Sequence, residues 1–147
     1  MEFFDEIIIK ASRKAVYAAL NDPEVLRQCI PGCDELFQYS PTNLEAKVVL
    51  KIGPVKARFA GVVTLNTDQA PDSFTLTGEG KGGAAGFARG SADVLLKEVG
   101  EVTILSYSAK VQVGGKIAQV GSRLISGTAK KLSASFFANF ADVVVKD

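Results

Sequence analysis

The chain has 147 residues, 47% hydrophobic and 22% charged, and its 17 Lys and Arg against 16 Asp and Glu leave a formal charge of +1. About 150 residues suit a single domain that buries roughly two-thirds of its unfolded surface without a staple, and so balanced a charge disfavours a nucleic-acid binder, which carries a basic stripe. Histidine is absent, which removes Ser/His/Asp and Cys/His nucleophile systems, His-ligated haem and most catalytic zinc sites.

Met1 to Glu6 is acidic and lacks the apolar length of a secretory signal. Phe3, Ile7 and Ile9 alternate with Glu6, Ile8 and Lys10 and predict a strand, with Asp5 in phase with the inward side and therefore expected to be partly buried. Ser12 can cap a short helix carrying Val16, Ala19 and Leu20 on one side. Asp22 caps a second, with Pro23 at its first position, and Pro31-Gly32 ends it. Cys29 and Cys33 flank that turn; their spacing is not the redox C-x-x-C, and two thiolates without His do not complete a zinc site. They read as two small, semi-buried side chains, with a disulfide or a metal shared between subunits as the alternatives.

From Cys33 to Val113 the period is two. Ala46, Val48, Leu50 and Ile52 face one way, as do Val55, Ala57, Phe59, Gly61, Val63 and Leu65 after the Gly53-Pro54 turn. Phe74, Leu76, Gly78 and Gly80 continue that face, followed by Ala88 to Leu96 and then Leu105 to Val113 at every second residue. Short connections imply an antiparallel meander with one apolar and one wet face. Gly78 to Gly86 lacks the G-x-x-x-x-G-K-[ST] order and following helix of a phosphate loop, and reads as a glycine-rich hairpin. Glycine and alanine at Gly78, Gly80, Ala88, Gly90 and Ala92 withhold volume from the interior, either for a closely packed helix or for a ligand.

After Gly114-Gly115 the period turns helical: Ile117, Val120, Leu124, Thr128, Leu132, Phe136, Phe140 and Val143. One helix from Lys116 to Val143, roughly 40 Å at 1.5 Å per residue, would cross the sheet. Its most apolar stretch, about ten residues ending at Val145, falls short of the about twenty that span a bilayer; the chain is expected to be soluble and cytoplasmic. Phe136, Phe137 and Phe140 crowd five positions, so at least one is expected to be exposed as a partner or membrane contact. The order of elements predicts an α+β helix-grip fold over residues 1–147: a curved antiparallel sheet around a long C-terminal helix, with two short helices after the first strand.

Ile30-Pro31-Gly32-Cys33, Ile52 to Phe59, Gly114 to Gly121 and Asn21-Asp22-Pro23 together resemble the G-subunit family of carbon monoxide dehydrogenase, within the START-like, Bet v 1-related helix-grip superfamily. The resemblance spans nearly the whole chain. It implies a non-catalytic accessory protein of a molybdenum hydroxylase that holds a lipid or quinone in the grip cavity and assists the enzyme's membrane association or electron transfer. Peripheral contact at the inner face of the cell membrane and homodimerisation are further alternatives under that resemblance, and no cofactor, metal or nucleic acid is expected. The pocket is expected to be lined by Leu36, Phe59, Leu76, Ala88, Ala92, Tyr107, Ala109, Val120, Leu124 and Phe136, with the Tyr107 hydroxyl orienting a polar end. Two rival readings remain: an interaction module with a filled core and an exposed face around Phe137 and the loop after Gly82, and a small START-like cyclase or hydrolase using Asp5 and Tyr107.

Overall fold

The computed structural model describes residues 1–146. In chain order it runs β1 (Glu2–Ile9), α1 (Arg13–Leu20), α2 (Pro23–Cys29), β2 (Cys33–Ser40), β3 (Asn43–Ile52), β4 (Val55–Asn66), β5 (Ser73–Lys81), β6 (Phe87–Val99), β7 (Val102–Gly114) and α3 (Ser122–Lys146). The seven strands form one antiparallel sheet in the order β1-β7-β6-β5-β4-β3-β2. Only the β1–β7 contact joins strands distant in sequence; α1 and α2 carry the chain from one sheet edge to the other. Sheet alternation follows the sequence pattern: Phe59, Leu65, Phe74, Val94, Leu96 and Leu105 are buried on the inner face, while Lys56, Arg58 and Lys110 stand outside.

The caps of the short helices form as the side-chain chemistry requires. Ser12 Oγ accepts the Ala15 N–H at 3.1 Å, and Asp22 Oδ1 accepts the Glu24 N–H at 3.0 Å with Pro23 at the first helical position. In the first turn of α2, Glu24 is bonded to Arg27 at 2.6 Å, and that bond, with Gln28 adding a second, lowers its carboxyl pKa to about 2.

The predicted continuous helix from Lys116 is instead two pieces. A 3-10 turn occupies Gly115–Val120, and Gly121, at φ +98°, breaks the path before α3 begins at Ser122. That positive φ is one a glycine adopts without Cβ strain. Just after the break Ile125 is buried where the sequence pattern places Leu124, and at the far end Val144, four residues past Phe140, is buried where it places Val143. From Leu132 through Phe140 the predicted stripe holds. The backbone of α3 approaches the sheet most closely at β1 and β3 and is more distant from the strands between them.

The core consists of two separate clusters. One gathers Ile9, Val16, Cys29, Phe74, Leu105, Phe140 and neighbours, where α1, α2 and the C-terminal half of α3 close over the sheet. Two polar ties lock this end: the wholly buried Thr103 hydroxyl donates to Ala11 O at 2.8 Å, and the Asn139 amide donates to Cys29 O at 3.1 Å, joining α3 to α2. The other cluster, at the opposite end, is Ile52, Phe59, Ala85, Ile117 and Ile125.

Both cysteines are free thiols; Cys29 is fully buried rather than semi-buried, and Cys33 is half-buried with its thiol toward Glu35 O at 3.4 Å. Burial pushes both thiols up from their ordinary value.

Candidate functional site: a hollow between two cores

Between the two clusters the concave face of the sheet is lined but not filled. Val63, Ala88, Ala92, Ala109 and Val111 all point to this side and all remain half-buried, as does Leu76, which also packs against the first cluster. Side chains under a packed helix would be closed off from water. The glycines show why these are not. A Cβ at Gly61, Gly78 or Gly80 would meet, within 4 Å, only atoms of the sheet itself, and at Gly80 nothing nearer than the Phe59 Cβ at 3.9 Å. No atom of α3 reaches them. Close helix packing therefore does not account for the small residues at these positions, and their missing volume is left as space. Gly90 differs, because a Cβ there would collide with Lys110 O at 2.2 Å, so strand approach requires that glycine.

The structure brings some of the ten sequence-predicted lining residues together and separates others. Leu76, Ala92 and Ala109 sit side by side across β5, β6 and β7, since Leu76 pairs with Ala92 and Ala92 with Ala109. Ala88 lies further along β6, and Leu36 faces Ala46 near the β2 edge. Phe59 and Val120 belong to the cluster at one end, Tyr107 and Phe136 to that at the other. Leu124 stands apart, 45% exposed at a rim beside Gly53.

Aromatic rings wall the end closed by the short helices. Tyr107 stacks on Phe137 at 5.8 Å and 17°, Phe137 meets Phe136 edge-on at 5.0 Å, and Phe136 stacks on Phe140 at 5.8 Å. Such contacts add about 0.5–1.5 kcal/mol each beyond area burial. The expectation that one of these phenylalanines is exposed is corrected: Phe140 is wholly buried, and Phe136 and Phe137 pack against the same cluster. Phe137, absent from the predicted lining, borders a cleft between β1 and α3, because Lys130, Ser133 and Phe137 form a second stripe, three to four residues apart, beside the main one.

Two clefts lie at the sides of the space between sheet and helix. A cleft of about 480 Å³ runs between β1 and α3, bordered by Phe3, Asp5, Tyr107, Lys130 and Phe137. Asp5 lies opposite Tyr107 in the strand register. It is exposed rather than partly buried, because the cleft between the edge strand β1 and α3 opens beside it, and its Oδ1 accepts the Glu6 N–H at 2.8 Å. The second opening is a breach in the sheet, which sequence alternation does not reveal. Strand β4 pairs with β5 only from Ala60 onward, so Val55 to Phe59 have no neighbour on that side. The chain at Gly82–Ala85, the 3-10 turn and the start of α3 border this gap of about 860 Å³, lined by Lys56, Ala57, Arg58, Lys116, Val120 and Leu124 among others. A third depression, about 580 Å³ beside Thr77, Arg89 and Lys110, lies on the outer face away from the hollow. Among the described residues no group of three or more Cys, Asp or Glu is placed to hold a metal ion, and no helix is long and apolar enough to cross a membrane.

A curved antiparallel sheet around a long C-terminal helix, with two short helices after the first strand, is the helix-grip fold of START-like and Bet v 1-like proteins. A START superfamily protein from Mycobacterium smegmatis shares it at 14% identity and a TM-score of 0.75, covering 99% of this chain and 97% of that one. So does the Zhui aromatase/cyclase from Streptomyces sp. R1128, at 7% identity and a TM-score of 0.73, with coverage of 99% and 94%. Within this class the chain belongs to the carbon monoxide dehydrogenase G-subunit (CoxG) family, whose model matches residues 6–145. A conserved protein from Geobacillus kaustophilus is similar over 99% of this chain and 96% of its own, at 28% identity and a TM-score of 0.92. No curated protein matches the chain.

Proposed function

We propose that this protein is a non-catalytic accessory factor that encloses an apolar small molecule, a lipid or quinone, between sheet and helix. In that role it assists the membrane association or electron transfer of a molybdenum hydroxylase at the inner face of the cell membrane. The observation that carries the ligand reading is the half-buried apolar surface between the two core clusters, where glycine and alanine leave volume that α3 does not occupy. Covering about 300 Å² of apolar ligand surface there offers roughly 7 kcal/mol before ordering costs, enough for micromolar binding without a charged contact. The Tyr107 hydroxyl, in the β1–α3 cleft, is the donor on that side for a neutral oxygen of the ligand, such as a quinone carbonyl. The partner enzyme is supported by family membership.

Native mass spectrometry of the protein exposed to quinones and lipids tests the ligand, and co-purification with molybdenum hydroxylase subunits tests the partner. Retention of one apolar molecule by the native chain and its loss in Ala92→Phe is the expected result. A chain that retains nothing, with Ala92→Phe destabilised as in a filled core, contradicts it. The rival enzyme reading draws on Asp5 lying opposite Tyr107; turnover that survives Asp5→Asn and Tyr107→Phe removes it.

A further inference from the structure

We infer that the breach beside β4 is a polar mouth of the hollow that reads an anionic head group, so that the preferred occupant is an amphiphile carrying a carboxylate or phosphate on an apolar chain. The inference rests on the ligand reading above and names the chemical class of that ligand.

Three observations support it. The first is charge. The lining contains Lys56, Arg58 and Lys116, and no acidic residue. Arg58 is shared with Asp34 at 3.5 Å and Glu35 at 3.7 Å, whereas Lys56 and Lys116 form no ion pair among the described residues. Two cations thus face one opening without a counter-charge. A chain of nearly balanced total charge has placed an unbalanced pair there.

The second is continuity between polar rim and apolar interior. Ala57, Val120 and Leu124 line the gap together with the lysines, and Phe59 and Ile117 lie immediately behind as the buried cluster of that end. A molecule with one charged and one apolar end matches that gradient. A wholly neutral, apolar molecule leaves the lysines unused, and a free anion leaves the apolar wall uncovered.

The third is the contrast with the other opening. The β1–α3 cleft is bordered by Glu2 and Asp5 together with Lys130. Its carboxylates disfavour an anionic head, so the two openings differ in sign and the breach is the one an anionic amphiphile would use. At these exposed sites the attraction is moderate and screened by salt.

The test is calorimetric titration of dodecanoate and of 1-dodecanol, each below its aggregation concentration, at pH 7.5 in 20 mM and 500 mM salt. The inference predicts that dodecanoate binds about tenfold tighter than the alcohol at low salt, and that the preference shrinks at high salt. The double variant Lys56→Gln/Lys116→Gln loses the preference while its affinity for dodecanol is unchanged, which also shows that it is folded. Lys130→Gln keeps the preference. Equal affinity for both probes overturns the head-group inference and leaves the apolar ligand reading standing. A preference abolished by Lys130→Gln and retained in the double variant places the head in the other cleft and also overturns it. Binding of neither probe removes both readings.

Discussion

The two ends of the molecule solve the same problem differently. Where α1, α2 and the second half of α3 meet the sheet, large side chains are buried, the buried hydroxyl of Thr103 is bonded, and α3 is tied to α2 through Asn139. At the other end a five-residue cluster suffices, β4 outruns its partner, and the chain makes its turn at Gly121 instead of continuing as one helix. The difference teaches that tight packing is concentrated at one end of this fold. One end holds the helix against the sheet, which lets the middle stay open without the helix falling away.

Breaking the closed end should have the largest consequence. Phe140→Ala removes a wholly buried ring that stacks on Phe136 and should cost about 3–5 kcal/mol in urea unfolding; a loss under about 1 kcal/mol would mean this end is not where stability resides. Thr103→Val removes the bond to Ala11 O from a fully buried site and should cost about 1–3 kcal/mol.

The same experiments in the middle of the molecule should read differently. Ala92→Phe adds a ring to the concave face; in a filled core overpacking costs about 1–3 kcal/mol, but here the change should stay below about 1 kcal/mol. On α3, Gly127 is exposed and an added Cβ would meet nothing within 4 Å. Gly127→Ala should therefore stabilise by about 0.5–1 kcal/mol, read as a raised urea midpoint. Smallest is a pH effect at the closed end. Burial raises the Cys29 thiol above its ordinary 9.0, so the unfolded chain gives up this proton first. Its contribution is complete below pH 9 and is lost as pH rises through the folded-state value. Between pH 8 and 10.5 the native chain should lose stability more steeply than Cys29→Ala, and identical slopes would refute the assignment.

The fold was legible because its signals are local. Strand alternation from Ala46 to Val113 and the caps at Ser12 and Asp22 depend on near neighbours, and each side chain falls on the face its period assigns. Less legible was the helix start, since Gly121 lies in an apolar run that keeps a helical spacing on both sides, and only its positive φ reveals the break. Asp5 kept the inward phase of β1 but is exposed, because coverage of an edge strand depends on where α3 comes to lie. Which strand residues face the concave side could be read from the inward phase; the breach could not, because it arises from unequal strand lengths across a pair, which alternation within either strand does not encode.

The most direct test of the account follows methyl resonances during titration with a decyl-substituted benzoquinone. The account predicts that shifts concentrate on Leu36, Val63, Leu76 and Val111, which face the hollow, and spare Ile9, Val16 and Leu105 in the closed cluster. Shifts confined to outer-face methyls such as Ile8, Val62 and Leu95, or no shifts at saturating quinone, would contradict it.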